Sequence, residues 1–354
     1  MPRQALGRVV GPLPEGPLAI IGDVHGELEA LEELLAHPDL AGGRRVLCFV
    51  GDLVDRGPDS PGVLRRVRGL VDAGRAVCVL GNHELNLLRH GTDPKGDNRW
   101  FRGQERRLPG GEVLPERRVT SDAERGELLA MLADLPVALE RDDLRLVHAC
   151  WDAAAVEALA AWQRHEMIER HERGLAEAES GLEADGTLAE AARIERELFR
   201  SHPLDLSDPE PQAVAPAIAR REVTVQNAEP LRVVTSGREL PLAPDTACFA
   251  AGGKWRHTRR EPWWRTYAEQ RHVVVGHYWR GPSRPGDHRP RHAPPDPFHG
   301  EPARGALTTA GPGEVHCIDY SVGRRFLDRL AGQPYRGHLA ALLWPERQLV
   351  LGSS

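Results

Sequence analysis

The chain has 354 residues, 40% of them hydrophobic and 28% charged, which is the balance of an ordinary globular protein and excludes a disordered or fibrous one. Its formal net charge of −6 and pI near 6.3 mean that the surface as a whole lacks the basic excess of a dedicated nucleic-acid binder. No apolar run approaches the ~18 residues that a membrane span needs, and the first residues have no secretory pattern, so we expect a cytoplasmic protein without a membrane partner.

Short apolar runs alternate with helix-like segments at the start of the chain. The runs Leu18 to Ile21, Val46 to Val50 and Ala76 to Leu80 predict strands, and an amphipathic segment follows each of them. This alternation is typical of an α/β fold with a largely parallel sheet. In such a sheet, ligands bind beyond the carboxyl ends of the strands.

The remainder of the chain is less regular, and we predict that it belongs to one domain over residues 1–354. Residues 153–216 predict a helical insertion or cap with a Pro-rich linker, because Ala, Glu, Arg and Leu recur there at helical spacing before the prolines. Residues 281–313 are crowded with Pro, Gly, Arg and His and predict a long loop. Further apolar runs predict strands at residues 144–149, 231–235, 273–275, 315–318 and 339–343.

The cysteines give no sign of a disulfide framework. The chain has five of them, an odd number, and no two form a CxxC pair. Most stand among apolar, strand-like residues. Buried reduced thiols are therefore expected.

Three polar segments directly follow the first three predicted strands. Because parallel strands end at the same edge of a sheet, we expect Asp23, His25, Asp52, Asn82 and His83 to lie close together. The glycines around them allow tight turns and the close approach of a ligand. The segments are Gly22-Asp23-Val24-His25-Gly26, Gly51-Asp52-Leu53-Val54-Asp55-Arg56-Gly57 and Gly81-Asn82-His83-Glu84.

This set of side chains predicts a centre of two metal ions. Carboxylate, imidazole and amide donors suit Mn²⁺ or Fe²⁺, whereas a set without thiolates argues against a structural zinc site. One carboxylate can bridge two ions, and two ions about 3.5–4 Å apart can clamp a phosphate oxygen and produce a hydroxide for in-line attack. We expect two divalent ions, foremost Mn²⁺ with Fe²⁺ or Zn²⁺ as alternatives, and a phosphorylated substrate as the partner.

The ordered triple resembles the core pattern of the phosphoprotein phosphatase (PPP) branch of the calcineurin-like metallophosphoesterase superfamily, bacterial type. That pattern is GDxHG, GDxxDRG and GNHE. Here 25 residues (26–50) lie between His25 and Gly51 and 24 residues (57–80) between Arg56 and Gly81, which is about the spacing in the family. The resemblance is firm from about Leu18 to Leu88. It implies the calcineurin-like fold, an α/β architecture with a central β-sandwich of mixed sheets flanked by helices.

The same resemblance implies six metal ligands on the loops that follow strands. Two of them are histidines at the ends of later predicted strands. The implied ligands are Asp23 and His25 for the first ion, Asp52 as the bridge, and Asn82, His148 and His277 for the second ion.

Catalytic and substrate-binding roles also follow from the resemblance. His83 would be the general acid, oriented by Asp55, and Arg56 would grip phosphate oxygens as a bidentate guanidinium beside Asn82. Most family members have another phosphate-binding arginine between the two late histidines. The candidates for that role are Arg238, Arg256 and Arg260.

A basic and aromatic segment lies between the two late histidines. Residues 254–265 interleave Lys and Arg with Trp255, Trp263 and Trp264. The segment could dock a nucleotide through stacking and charge. Alternatively, the tryptophans pack inside while the arginines face water, and the sequence leaves both interpretations open.

A different histidine pair invites a zinc-protease interpretation. His165 and His171 are six residues apart, whereas HExxH needs histidines four apart on one helix face. We expect both on a solvated helix face.

The sequence therefore predicts a two-metal-dependent phosphoesterase that hydrolyses phosphomonoesters, with phosphoprotein Ser/Thr as one substrate class. The alternative is a dinucleoside polyphosphate hydrolase or a nucleic-acid phosphatase or phosphodiesterase. A third hypothesis, a silent binding module, conflicts with the intact set of His83, Asp55 and Arg56, because a scaffold needs neither an acid nor a phosphate clamp. Nucleic acid is not favoured as a partner.

Overall fold

The computed structural model describes residues 7–90, 96–108, 110–201, 213–251, 254–279 and 308–352. The predicted loop over residues 281–313 lies outside these ranges up to residue 307, and a strand begins at Thr308. No helix in the described part of the chain is long and apolar enough to cross a membrane. All five cysteines are buried thiols, as expected.

One of the two main sheets has five strands. Strands β2 (Leu18–Ile21), β3 (Val46–Phe49) and β4 (Ala76–Cys78) are parallel neighbours, as the sequence predicted. Strand β14 (Ala340–Trp344) pairs with β2 in the antiparallel direction, and β15 (Gln348–Leu351) pairs with β14. The sheet is therefore mixed rather than largely parallel, because a C-terminal hairpin adds to the free side of β2.

The second main sheet has six strands and is also mixed. The six strands, in spatial order, are β1 (Val10–Pro12), β5 (Ala138–Glu140), β6 (Leu144–Val147), β11 (His272–Val275), β13 (Val315–Cys317) and β12 (Thr308–Ala310). Its central strands β6, β11 and β13 are parallel, so their carboxyl ends meet at one edge.

Two small two-stranded sheets stand apart from the main sheets. One pairs β7 (Glu239–Pro241) with β10 (Thr258–Arg260), and the other is a hairpin of β8 (Phe249–Ala251) and β9 (Lys254–Arg256).

The two main sheets pack face to face. Ile20 of the first sheet shares a buried apolar cluster with Leu146 and Val274 of the second sheet. The next residue along the same strand, Ile21, belongs to a different cluster together with Leu31 of a flanking helix. This alternation follows from the two-residue period of a strand. The predicted fold class, a β-sandwich of mixed sheets flanked by helices, is confirmed.

Helices cover the outer faces of the sheets and form most of the middle of the chain. The Asp59 side chain accepts a hydrogen bond from the Gly62 amide at 2.7 Å and so caps the first of the long helices, in which Pro61 stands in the first turn. The helices are α1 (Leu28–Leu35), α2 (Pro38–Ala41), α3 (Ser60–Asp72), α4 (Asn82–His90), α5 (Asp122–Ala133), α6 (Ala153–Ala160), α7 (Met167–Ala184), α8 (Thr187–Ser201), α9 (Pro216–Asn227), α10 (Pro230–Ser236) and α11 (Arg325–Leu330).

The segment predicted to be a helical insertion contains α6, α7 and α8. Gly186, with φ of +80°, lies in the turn between α7 and α8, whereas Gly181 is inside α7. The helical part continues beyond residue 216, because α9 and α10 follow and pack with the preceding helices.

The strand predicted at residues 231–235 is wrong, since these residues lie in α10. Pro230 occupies the first turn, and the Glu229 side chain caps the helix by accepting from the Arg232 amide at 2.9 Å. The apolar run is short enough to suit either a buried strand or a buried helix. Pro230 in the first turn and the Glu229 cap favour the helix.

Candidate metal centre

The polar motifs lie at the carboxyl ends of β2, β3 and β4, as the sequence predicted. Their backbone is unusual. Five residues other than glycine at this edge have φ between +47° and +69°, the left-handed region that side chains rarely adopt. Such outliers cluster at functional sites, where the surrounding structure holds them in place. These residues are His25, Asp52, Asp55, Arg56 and His277.

Two glycines allow the acidic side chains to come close to the backbone. A Cβ at Gly81 would lie 2.3 Å from Oδ1 of Asp52, and a Cβ at Gly276 would lie 1.9 Å from Oδ1 of Asp23. Neither position can therefore carry a side chain without moving an acidic group of the site.

Asp52 lies between two separate groups of histidines. Its Oδ2 atom is 3.8 Å from Nε2 of His25, and its Oδ1 atom is 3.3 Å from Nε2 of His148. Ligand atoms of His25, Asp52 and His83 form one group that could hold a metal ion, and those of Asp52, His148 and His277 form another. The shared carboxylate thus has one oxygen on each side, which is the arrangement that a bridging ligand requires.

The ring orientations of the histidines fit metal binding. Nδ1 of His25 donates to the Val54 carbonyl at 3.0 Å, and Nδ1 of His148 donates to the Val50 carbonyl at 2.8 Å. Each bond leaves Nε2 as the lone-pair atom that faces the centre. Among the described residues, the buried Nε2 atoms of His25 and His277 have no hydrogen-bond partner. Unpartnered ring nitrogens beside carboxylates are what a cation would satisfy.

The electrostatics also suit a cation. Burial, followed by the neighbouring charges of Asp319 and Asp52, raises the pKa of Asp23 well above its ordinary value. Burial and the nearby Arg56 lower the pKa of His25 well below its ordinary value, so this imidazole is neutral. A neutral imidazole at His25 and a crowded carboxyl group at Asp23 suit the entry of a divalent ion.

Asn82 joins the second group of histidines. Its Oδ1 atom lies 3.1 Å from Nε2 of His148 and 2.8 Å from Nδ1 of His277. The backbone amide of His277 in turn donates to both oxygens of Asp23, at 3.1 and 3.3 Å. All six sequence-predicted ligands therefore lie at one edge of the sandwich.

His83 has a different environment from the other histidines. Its Nδ1 atom lies 2.7 Å from Oδ2 of Asp55, and its Nε2 atom lies 3.3 Å from the Arg56 guanidinium. Burial lowers the pKa of His83, but the charge of Asp52 and the hydrogen bond to Asp55 outweigh burial and raise that pKa to about 9. The Asp55 carboxylate thus holds the ring, and the ring is protonated at neutral pH, as a proton donor must be.

Glu84 is a residue of the third motif to which the sequence assigned no role. Its buried carboxylate accepts from the amides of Asp52 and Leu53, both at 2.8 Å, and from the amide of Gly81 at 3.0 Å. It therefore fixes the loop that carries the central carboxylate. Its place in the GNHE motif was the only sequence signal for this role. Two of its three hydrogen-bond partners, Asp52 and Leu53, are more than thirty residues away in the chain.

Asp319 and the segment after it were also missed. Asp319 is buried, its Oδ1 accepts from the Ser321 amide at 2.8 Å, and its negative charge contributes to the raised pKa of Asp23. A Cβ at Gly323 would lie 2.8 Å from Cβ of His25 and 3.1 Å from Cβ of Arg56. This C-terminal segment therefore covers one side of the centre.

The three candidate arginines lie in different environments. Arg238 is held by Asp152, with Nε 2.7 Å from Oδ2, and Arg256 is on β9 of a small hairpin. Arg260 donates to the Ser236 carbonyl and, after burial, is the largest cause that lowers the pKa of His277 well below its ordinary value. Of the three, Arg260 has the strongest electrostatic influence on the metal centre in the described structure.

The tryptophans of the basic and aromatic segment pack inside the protein. Trp263 and Trp264 are 7% and 1% exposed. The Trp263 indole donates to the Ala149 carbonyl at 3.2 Å and to the Tyr278 hydroxyl at 3.1 Å. Of the two interpretations left open by the sequence, packing is the one that the structure supports for this pair.

The histidines that invited the zinc-protease interpretation have separate surroundings. His165 is exposed, but His171 is buried and its Nδ1 atom forms a hydrogen bond with the buried Glu229 carboxylate. The expected solvated position is therefore wrong for His171, because its partner from the start of α10 could not be read from local spacing.

Comparison with known proteins places the first part of the chain in a family. Residues 16–148 match the family model of the calcineurin-like phosphoesterases. A symmetrical bis(5′-nucleosyl)-tetraphosphatase of Janthinobacterium sp. is 38% identical over 40% of this chain and 47% of its own length. The protein of the same name from Bordetella parapertussis is 49% identical over 21% of this chain and 26% of its own length. The chain thus spans about half or less of the length of these curated relatives.

A solved structure of a cold-active protein-tyrosine phosphatase from a Shewanella species gives a TM-score of 0.44 at 12% identity, over 97% of this chain and 82% of that one. A likeness of this size carries no weight for substrate or mechanism. The matched segment in contrast includes Asp23, His25, Asp52, His83 and His148, whose geometry is given above. Residues 16–148 of the chain are accordingly similar to the calcineurin-like phosphoesterase family.

Proposed function

We propose that the chain is a two-metal hydrolase of the PPP type that cleaves dinucleoside polyphosphates into two nucleotides. The observation that carries the metal-dependent chemistry is the position of Asp52, whose two carboxylate oxygens face separate histidine groups at 3.8 and 3.3 Å. When bound, two divalent ions would polarise the phosphate and activate a water molecule for attack on phosphorus.

The side chains at the sheet edge divide into two ligand sets in this proposal. Asp52 belongs to both sets and neutralises positive charge on each side. His83 shares a possible three-ligand group with His25 and Asp52, but its bond to Asp55 and its raised pKa favour the role of a proton donor. The first set is Asp23, His25 and Asp52, and the second is Asp52, Asn82, His148 and His277.

The remaining charged side chains would position the substrate. Arg56 lies beside His83, so a phosphate oxygen held by its guanidinium is within reach of the acid. Arg260 is our choice for the second phosphate-binding arginine, because its charge lowers the pKa of His277 and its ion pair with Glu239 is longer, at 3.7 Å, than the 2.7 Å pair of Arg238 with Asp152. A proton from Nε2 of His83 would neutralise the departing oxygen.

The choice of substrate rests on the curated relatives. Both relatives named above are tetraphosphatases that act symmetrically on bis(5′-nucleosyl) compounds, which favours our alternative over a Ser/Thr phosphomonoesterase. Polyphosphate substrates carry several negative charges, and Arg56 and Arg260 supply the opposite charge at the centre. Mn²⁺ remains our proposal for the metal, on the chemistry of the mixed carboxylate, imidazole and amide donors. We also propose a single domain over residues 1–354, with residues 153–216 as its helical insertion, and a cytoplasmic location.

A substrate panel tests this proposal. Protein stripped with EDTA is reloaded with Mn²⁺ and assayed on diadenosine tetraphosphate, a phosphoserine peptide and 2′,3′-cyclic AMP, with products separated by chromatography. We expect ADP as the product of the tetraphosphate, and a kcat/KM for it at least ~10-fold above those of the other two compounds. A higher kcat/KM on the phosphopeptide would contradict the proposed substrate class. Full activity without metal would contradict the proposed metal-dependent hydrolysis.

A further inference from the structure

Trp279 differs from the other tryptophans of the chain. All eight tryptophans lie within the described residues. Trp279 is 52% exposed, whereas the others are buried or half-buried. It follows His277, a proposed metal ligand, by two residues. Since consecutive Cα atoms are ~3.8 Å apart, its backbone is within roughly 8 Å of the backbone of that ligand.

The backbone that carries Trp279 is firmly held. The Trp279 amide donates to the His277 carbonyl at 3.1 Å, and the Tyr278 amide donates to the Gly276 carbonyl at 2.6 Å. The Tyr278 ring between them is buried, and its hydroxyl accepts from the Trp263 indole at 3.1 Å. The buried tryptophan of the basic and aromatic segment thus supports the turn on which the exposed one stands.

A cation lies beside the same turn. Arg260 bonds to the carbonyl of Ser236, and the next residue, Gly237, packs so closely on the Tyr278 hydroxyl that a Cβ there would lie 2.6 Å from it. The Arg260 guanidinium and the turn that carries the exposed indole are therefore neighbours.

We infer that the Trp279 indole is the stacking surface for a nucleobase of a nucleoside polyphosphate substrate. This inference rests on the proposed hydrolysis of dinucleoside polyphosphates and names a residue that recognises the base. In such a substrate, each base is joined to the scissile phosphate through a further phosphate and a ribose, so it lies beyond the metal ligands. An indole face accepts any base by stacking, with an arginine nearby for the phosphates.

Paired substrates with and without bases test the role of Trp279. Trp279→Ala should raise KM roughly 10-fold or more for diadenosine tetraphosphate, because one base loses its stacking partner. KM for inorganic tetraphosphate should stay within about twofold, and Trp279→Phe should behave nearly as the wild type. Leu330→Ala, which removes another exposed apolar side chain, is the control and should leave both KM values unchanged. Equal changes of KM on the two substrates in Trp279→Ala would overturn the inference.

A binding experiment separates this inference from the proposed function. Calorimetry with ADP and with pyrophosphate, on the Mn²⁺-loaded protein, should give a weaker Kd for ADP alone in Trp279→Ala, with circular dichroism confirming the fold. The wild type could cleave no dinucleoside polyphosphate while Trp279→Ala still binds ADP, but not pyrophosphate, more weakly than the wild type does. That result would contradict the proposed function and support the base-binding role. An unchanged Kd for ADP in Trp279→Ala would contradict the base-binding role, whatever the substrate of the wild type.

Discussion

His83 and Asp55 form a short hydrogen bond, with 2.7 Å between Nδ1 and Oδ2. The other oxygen of Asp55 accepts from the indole nitrogen of the buried Trp100 at 2.5 Å. The carboxylate is therefore fixed from two sides, and the imidazole can present only Nε2 to a substrate. We propose that His83 is an oriented acid, because its pKa is raised to about 9 and its Nε2 atom lies beside the Arg56 guanidinium.

His83→Ala should separate substrates by their leaving groups. A serine alkoxide needs a proton to depart, so kcat on a phosphoserine peptide should fall roughly 10²–10⁴-fold. Nucleoside diphosphate and p-nitrophenolate are stable anions, so the loss on diadenosine tetraphosphate and p-nitrophenyl phosphate should be much smaller. Metal content by elemental analysis should stay at two ions. Loss of one ion would show instead that His83 acts as a ligand with His25 and Asp52.

Asp52→Asn tests the bridge between the two histidine groups. The amide cannot offer a charged oxygen to each side, so the variant should bind fewer than two ions and lose kcat by roughly 100-fold or more. Asp72→Asn is a suitable control, because its carboxylate is exposed and pairs only with Arg68 in the described structure. Elemental analysis and kcat of both variants check this. Two retained ions at a near wild-type rate would contradict a shared carboxylate.

The proximity of the proposed metal ligands could be predicted from the sequence because these residues follow strands that are short, apolar and parallel. Placement at strand ends turns a linear pattern into proximity, and this worked for Asp23, Asp52 and Asn82 and for the late histidines at residues 148 and 277. The strands could be predicted from their apolar residues. One face of each sheet packs on the other sheet and the opposite face packs on helices, so both faces are apolar.

What the sequence does not predict depends on ambiguous local patterns or on partners distant in the chain. Residues 230–236 form a helix where the sequence predicts a strand over residues 231–235, because a short apolar run fits either structure and glutamate is not among the usual N-cap residues. His171 was expected in solvent, and its burial depends on Glu229, which is far along the chain. The exposed Trp279 has no local pattern that distinguishes it from the buried Trp263.

The hydrogen bond between His171 and Glu229 should hold the inserted helices against α10. Both side chains are buried, and Glu229 also caps α10. Glu229→Ala leaves a buried histidine without its partner and removes the cap, so the free energy of unfolding should fall by about 2–4 kcal/mol, measured by urea denaturation. Glu169→Ala, which breaks an exposed pair with Arg173 on the same helix as His171, should change it by less than about 1 kcal/mol. Equal small losses would mean that this helix pair is stabilised by other contacts.

Alanine substitutions of the three candidate arginines should have different effects on kcat/KM, according to which one binds phosphate. Arg260 influences His277 strongly and has a side chain that is 37% exposed, so it can meet a substrate oxygen. Arg260→Ala should lower kcat/KM for diadenosine tetraphosphate by roughly 10–100-fold, because the variant loses hydrogen bonds between a charged donor and a charged acceptor. Arg238→Ala instead removes the partner of Asp152, which caps α6 by accepting from the Ala155 amide at 2.8 Å. That variant should lose some stability and keep kcat/KM within a few fold.

Arg256→Ala completes the comparison, because Arg256 belongs to a hairpin that is separate from both main sheets. It should leave kcat/KM within about twofold, since a guanidinium that makes no contact with the transition state contributes nothing to this ratio. Arg260→Lys adds a further distinction: an ammonium keeps the charge but cannot form the bidentate bond, so it should recover only part of the loss. The ranking of the three alanine variants by kcat/KM, with folding checked by thermal denaturation, decides the assignment. A larger loss in Arg238→Ala than in Arg260→Ala would transfer the phosphate-binding role to Arg238.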